Sequence, residues 1–303
     1  MEHLKKAFAM TELFIAVVCL LAVPLLAKEP TRPPITGIAG VRIYASNPAE
    51  SQKFYSERLQ LPRSSCGADC MRYDVGRGQF VEVLNAAGRN NEMAIVLLRT
   101  PDADGLRKFI AARGIKVPGA LTRNPDGSRE FEVTDPEGHR VGFYQFGKGT
   151  QKNGGISHRI IHAGFVVKDR AVMDQFYKEV LGFRAYWYGG WTAEHPIWVS
   201  SQVPDGTDWI EYMLDIPANA SHRDLGVQNH FSLGVDDIKE AAAGLAKSGW
   251  QPGEHEHSQM GRDGKYQLNA YDPDDVRVEF MEFKPAEKPC CSEFTGPHPS
   301  ASD

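Results

Sequence analysis

Apolar and polar residues alternate with period two along "RVEFMEF" (Arg277–Phe283), which predicts a strand with Val278, Phe280 and Glu282 on one face and Glu279, Met281 and Phe283 on the other. An acid sharing a face with Met and Phe is either at a wet sheet edge or aimed into a lined cavity. The same alternation marks "FRAYWYGG", "PIWVSSQV", "DWIEYMLDI" and "KYQLNAYD" as strands. By contrast, "AVMDQFYKEVLG" and "DDIKEAAAGLAKSG" read as amphipathic helices, the second with Asp236 or Asp237 as N-cap and Gly249 as stop. Each helix follows an apolar strand, "IIHAGFVV" or "NHFSLGV". The unit is therefore strand, helix, then three strands.

This unit recurs. "GVRIYASNPAESQKFYSERL" (Gly40–Leu59) lies on "HAGFVVKDRAVMDQFYKEVL" (His162–Leu181) at a constant offset of 122, sharing the pairs Phe54-Tyr55 and Phe176-Tyr177. "FVEVL" at Phe80 parallels "WIEYML" at Trp209, and "DPEGHRVGFYQF" at Asp135 parallels "DPDDVRVEFMEF" at Asp272. The chain divides into similar halves over 37–147 and 158–284, joined by a Gly-rich linker over 148–157, with a Pro/Ser/Gly-rich tail over 285–303 expected to form an extended arm. Two units per half make four.

Composition narrows the function classes. With 303 residues, 42% hydrophobic and 24% charged, the chain builds ordinary globular cores. Net charge is −5, from 34 basic and 39 acidic residues without a long basic run, so no nucleic-acid partner is expected. Lys5 and Lys6 followed by a 15-residue apolar run, Leu13–Ala27, read as a secretory signal over 1–27 or an uncleaved anchor, which places the protein in the periplasm or outside the cell. The remaining cysteines, Cys66, Cys70, Cys290 and Cys291, then allow three disulfide connectivities, with bridges between the halves expected.

On "HAGFVVKD…FYKEVLGF", "NHFSLGV" and "YDPDDVRVEF", in their order within four units, the chain resembles the vicinal oxygen chelate (VOC) superfamily, which includes glyoxalase I, extradiol dioxygenases and bleomycin or fosfomycin resistance proteins. The resemblance implies an α+β fold of tandem βαβββ modules forming two cupped mixed sheets. It further implies one divalent metal ion (Fe, Ni, Co, Mn or Zn), held in the second half by His162, Glu211, His230 and Glu279. Their spacings of 49, 19 and 49 are near-symmetric, as equivalent units would give. In the first half the matching positions are Gly40, Glu82, Glu92 or Met93, and Gly142; glycine has no ligand atom, so that half is expected to be degenerate.

The chemistry implied by four ligands is closest to glyoxalase I: a metal-stabilised enediolate, with Glu279, or failing that Glu211, as base. Val166 and Lys168 stand where an arginine for glutathione is expected, so the substrate is another small oxygenated molecule. The alternative is an extradiol dioxygenase using His162, His230 and Glu279; against it, Asn269 and the region of Asp215 fall where that family's active-site tyrosine and histidine are expected. A third reading is a resistance-type binder without turnover. Trp187, Trp191, Trp198, Trp209 and Tyr212 are candidate cavity-lining residues, with Arg262 and Lys265 for an anionic substrate group and His255 and His257 for minor roles. The partners expected are a small-molecule substrate and, in a homodimer, a second copy; no membrane is expected beyond an N-terminal anchor.

Overall fold

A computed structural model describes residues 31–85, 93–147, 154–254 and 256–302. The apolar segment 1–27, Glu92, His255 and most of the linker lie outside these residues. Among the described residues no helix is long and apolar enough to cross a membrane.

The first half forms one eight-stranded sheet from β1 (Gly37–Ala45), β2 (Arg63–Gly67), β3 (Cys70–Gly76), β4 (Gln79–Asn85), β5 (Met93–Arg99), β6 (Thr122–Arg123), β7 (Arg129–Thr134) and β8 (Arg140–Gln145), in the order β2-β3-β4-β1-β5-β8-β7-β6. The second half repeats it with β9 (Ile160–Val166), β10 (Arg184–Gly189), β11 (Trp198–Gln202), β12 (Trp209–Met213), β13 (His230–Val235), β14 (Gln259–Met260), β15 (Tyr266–Tyr271) and β16 (Arg277–Glu282), in the order β10-β11-β12-β9-β13-β16-β15-β14. Each unit closes on a parallel pair, and the two units of a half join through a central antiparallel pair, β1 with β5 and β9 with β13. The helices are α1 (Pro48–Gln52, continued by a π-helical turn Lys53–Arg58), α2 (Ala103–Ala111), α3 (Arg170–Asp174, continued by Gln175–Val180), α4 (His222–Gln228) and α5 (Ile238–Lys247). The fold is α+β with four βαβββ modules in two mixed sheets.

Local chemistry explains these elements. Asp237 caps α5 by accepting from the backbone of Lys239 and Glu240, and Gly249 adopts φ 83 beyond its end. The sequence pattern missed α4, although its signal was present: Ser221 and Asp224 form a reciprocal capping box. The "DP" turns before the last strand of each half are held by their own aspartates. Asp272 accepts from the backbone of Asp274 and Val276 at 2.9 Å, and Asp135 from Glu137 and His139. Each turn also receives a tyrosine from the opposite half, Tyr55 to Asp272 at 3.0 Å and Tyr177 to Asp135 at 3.2 Å. The repeated Phe-Tyr pairs thus dock each half's helix on the other half's final hairpin.

The faces of β16 divide as the alternation predicts. Val278 and Phe280 enter a hydrophobic core that runs through both halves, whereas Met281 and Phe283 join a separate cluster with Trp187 and Trp209 inside the second cup. Glu279 is 3% exposed, so it is not a solvated strand acid.

Two expectations are corrected. The disulfides are local, Cys66–Cys70 and Cys290–Cys291, rather than bridges between halves. Cys66 and Cys70 end the β2–β3 hairpin, where the register pairs Gly67 with Cys70, so the nearest partner is four residues away. The tail is extended but packed. Its backbone bonds to Arg262 and Gly264 beside edge strand β14, then to Tyr188 and Tyr186 on the other edge strand, β10. It therefore spans the open side of the second sheet.

The first cup is filled. Arg42 pairs with Glu82 (2.6 Å), Glu130 (2.8 Å) and Glu132 (2.9 Å), while Arg72 also binds Glu82 (2.6 Å) and lies over the Phe80 ring. A Cβ on Gly40 would meet the Phe80 carbonyl at 2.4 Å, and one on Gly142 would meet Leu97 at 2.3 Å. These glycines make room for apolar filling. Cys66, Cys70 and Glu82 lie within ligand reach of one another, but the sulfurs are bonded together and Glu82 is held by two arginines.

Candidate metal centre

Register brings the site residues into two adjacent rows across the second sheet. Trp209, His162, Ser232, Glu279 and Asn269 form one row, and Ser200, Glu211, Gly164 and His230 the next. Side chains in both rows that share the cup face converge because the sheet curls. The result is a buried trio, His162, His230 and Glu279, whose ligand atoms all lie within 4.8 Å of one another. Glu211 stands beside the trio: its Oε2 is 3.7 Å from His230 Nε2, and its Oε1 accepts from Ser200 at 3.1 Å. Three of the four expected ligands thus cluster, with the fourth at their flank.

The donor set suits a divalent cation. His230 Nδ1 donates to the Gln228 carbonyl at 2.9 Å, which leaves its Nε2 lone pair facing the trio. The two Nε2 atoms are 3.1 Å apart, and His162 Nε2 is 3.3 Å from Glu279 Oε2. Ligands about 2.1 Å from one ion and near right angles to each other are separated by about 3 Å, so this spacing is a coordination spacing. Burial holds both imidazoles well below their ordinary protonation range, keeping them neutral as ligands must be. Burial also raises the Glu279 carboxyl, and burial with Glu279 nearby pushes Glu211 up to about 8. Glu279 Oε2 is buried without a hydrogen-bond partner, an arrangement that a cation would resolve.

Packing fixes these groups. The Trp209 ring stacks on His162 at 4.7 Å. Gly164 leaves the space that the His230 ring occupies, since a Cβ there would lie 2.1 Å from His230 Cε1. Gly164→Ala is therefore expected to displace the imidazole and lower metal affinity by about tenfold or more with the fold retained. Metal titration with a circular-dichroism control checks this, and wild-type affinity would count against the placement of His230.

Glu279, together with Glu211, lines a cavity of about 350 Å³ whose walls include Trp187, Trp191, Trp198, Trp209 and Phe294; His162 and His230 are buried beside it. Phe294 comes from the C-terminal arm and packs on Tyr186 at 4.9 Å; no sequence periodicity pointed to it. Asn269 and Arg277 also line the cavity, and both are recoverable by counting two residues along β16 or across to β15 from Glu279. Tyr212 does not line it. Period two turns Tyr212 away from Glu211 and into the core against Phe165 and Tyr177. Arg262 lines the mouth but directs its donors to Gly190, Trp191 and Cys290, holding the rim together. Lys265 is fully buried behind the wall, 4.4 Å from the centre of the Trp209 ring. Asp215 pairs with His195 on the surface, and His257 lies in a bend before β14.

Fold and trio together define a two-cup candidate metalloprotein of the vicinal oxygen chelate type. Residues 159–280, most of the second half, match the model of the Glyoxalase/Bleomycin resistance protein/Dioxygenase superfamily. Among solved structures it is similar to homoprotocatechuate 2,3-dioxygenase from Brevibacterium fuscum in complex with 3,4-dihydroxyphenylacetate (16% identity, 88% of this chain and 84% of that one, TM-score 0.60). It is also similar to the 2,3-dioxygenase LapB from Pseudomonas sp. KL28 (15%, 90% and 96%, TM-score 0.63). A third is the Mn(II)-bound glyoxalase from Novosphingobium aromaticivorans (19%, 82% and 83%, TM-score 0.61). No curated protein matches the chain by sequence.

Proposed function

We propose that the protein is a metal-dependent ring-cleaving dioxygenase of the extradiol type, acting on a small aromatic substrate with vicinal hydroxyls. The observation that carries this reading is the trio itself. Two imidazoles and one carboxylate are the donor set associated with non-haem Fe(II) oxygenases, and the carboxylate, Glu279, lines a cavity walled by flat aromatic rings. The similarity to two dioxygenases supports the same fold-level frame.

His162, His230 and Glu279 would hold the ion, which when bound supplies Lewis acidity and positions for substrate oxygens and dioxygen. The protein's own groups do the rest. Trp209, stacked on His162, fixes the orientation of that imidazole. Asn269 Oδ1, buried without a partner and opposite Glu279, can accept from a substrate hydroxyl. Glu211, whose Oε2 lies 3.7 Å from His230 Nε2, would take a proton from that hydroxyl, a task suited to a carboxyl pushed up to about 8. It would stand in for the histidine sought near Asp215.

Glyoxalase-type chemistry is the second reading, and the position of Glu211 favours it: 3.7 Å from His230 Nε2, a small rotation would make it a fourth ligand. Oxygen decides between the two. Metal-loaded protein is offered catechols, 2-oxoaldehydes and hydroxyketones with and without air. Oxygen uptake stoichiometric with catechol loss is expected; turnover unchanged by removing oxygen would replace this reading with the isomerase or lyase one.

A further inference from the structure

One arginine beside the cavity has only a shared acid for a partner, and that pairing describes the substrate. Arg277 lines the cavity two residues before Glu279 on the same face of β16, and its side chain is only 12% exposed. Its Nε is buried without a hydrogen-bond partner, and the acid paired with it is Glu279, at 3.9 Å from Nη1 to Oε1. Glu279 is the carboxylate of the trio, so an ion there draws that charge away from the arginine.

The neighbouring acids offer no replacement. Glu211 is bonded to Ser200 and faces His230, and Asp263 accepts from the Lys265 backbone and lies 3.9 Å from the Lys265 ammonium. Lys265 adds another cation just behind the wall: its Nζ makes no hydrogen bond and lies 4.4 Å from the centre of the Trp209 ring and 5.2 Å from that of Phe294. A divalent ion would raise the positive charge further. A buried guanidinium with unfilled donors is costly, and a planar bidentate anion is the group that fits it.

We propose that the substrate of this cavity carries an acidic substituent, a carboxylate, bound by the Arg277 guanidinium with Lys265 reinforcing the positive field. This rests on reading the cavity beside the trio as the substrate site, and it names a property that the trio alone does not imply. The carboxylate end lies toward Arg277 and the vicinal oxygens toward the metal ligands. Neutral catechols are then poor ligands.

Matched probes test it on the full, metal-loaded chain. Phenylacetate is compared with phenylacetamide, and 3,4-dihydroxyphenylacetate with its amide, anaerobically, by quenching of the tryptophans around the cavity. Each acid is expected to bind at least about tenfold more tightly than its amide, the margin typical of a charge-assisted pair. Arg277→Met should erase the preference and Arg277→Lys retain part of it. Equal binding of acid and amide by the unaltered protein overturns the proposal whatever the variants do. The phenylacetate pair has no vicinal hydroxyls, so an acid preference there stands even where dihydroxy compounds gain nothing from the metal, the result that would instead count against the dioxygenase reading.

Discussion

His230→Ala and Glu279→Ala are each expected to reduce bound metal from about one ion per chain to below about a tenth, with the fold retained. Either change removes one of three donors in a buried site. It leaves the ion with two protein ligands and a desolvated surround that water fills poorly. Glu211→Ala is expected to keep the stoichiometry, because Glu211 stands outside the trio and touches only its His230 edge. Elemental analysis of protein purified without chelator checks all three. Unchanged metal in both of the first variants would remove the site, and loss in Glu211→Ala equal to theirs would restore a four-ligand centre.

The opposite cup responds in the opposite way. Arg42→Met is expected to destabilise the protein by about 3–5 kcal/mol, the usual result of removing one partner from a buried ion network, while leaving metal content unchanged. Glu130 would keep its charge beside a side chain that no longer answers it, whereas Glu82 keeps Arg72 and Glu132 keeps Arg140. Adding Glu130→Gln should recover much of the loss, since its unpaired charge is the cause. Denaturant unfolding of the single and double variants measures this; a single variant within about 1 kcal/mol of the parent would mean that the network is solvated rather than structural.

Several parts of this molecule were legible without coordinates. The period-two alternation around Glu279, the helix caps and the offset of 122 between Phe54-Tyr55 and Phe176-Tyr177 are local or self-similar signals. Local signals survive folding because strand faces and helix ends are set by nearest neighbours along the chain. His162, His230 and Glu279 could be singled out through the resemblance to the vicinal oxygen chelate superfamily, and the glycines at 40 and 142 marked the half that lacks them.

Other features depended on distances that alternation does not encode. Whether Glu211 joins the trio or flanks it turns on sheet curl, and the sheet places it opposite Gly164, in the row of His230. Tyr212 could not be told from Trp209 by aromatic character, only by the face its strand position assigns. The tail carried no periodic signal, yet it bridges β14 and β10 and sends Phe294 into the cavity, because both sheet edges have backbone groups to satisfy. The partner of Arg277 is likewise a tertiary fact: a charge count along the chain is nearly even, and only packing decides that this arginine's acid is Glu279, the carboxylate of the trio.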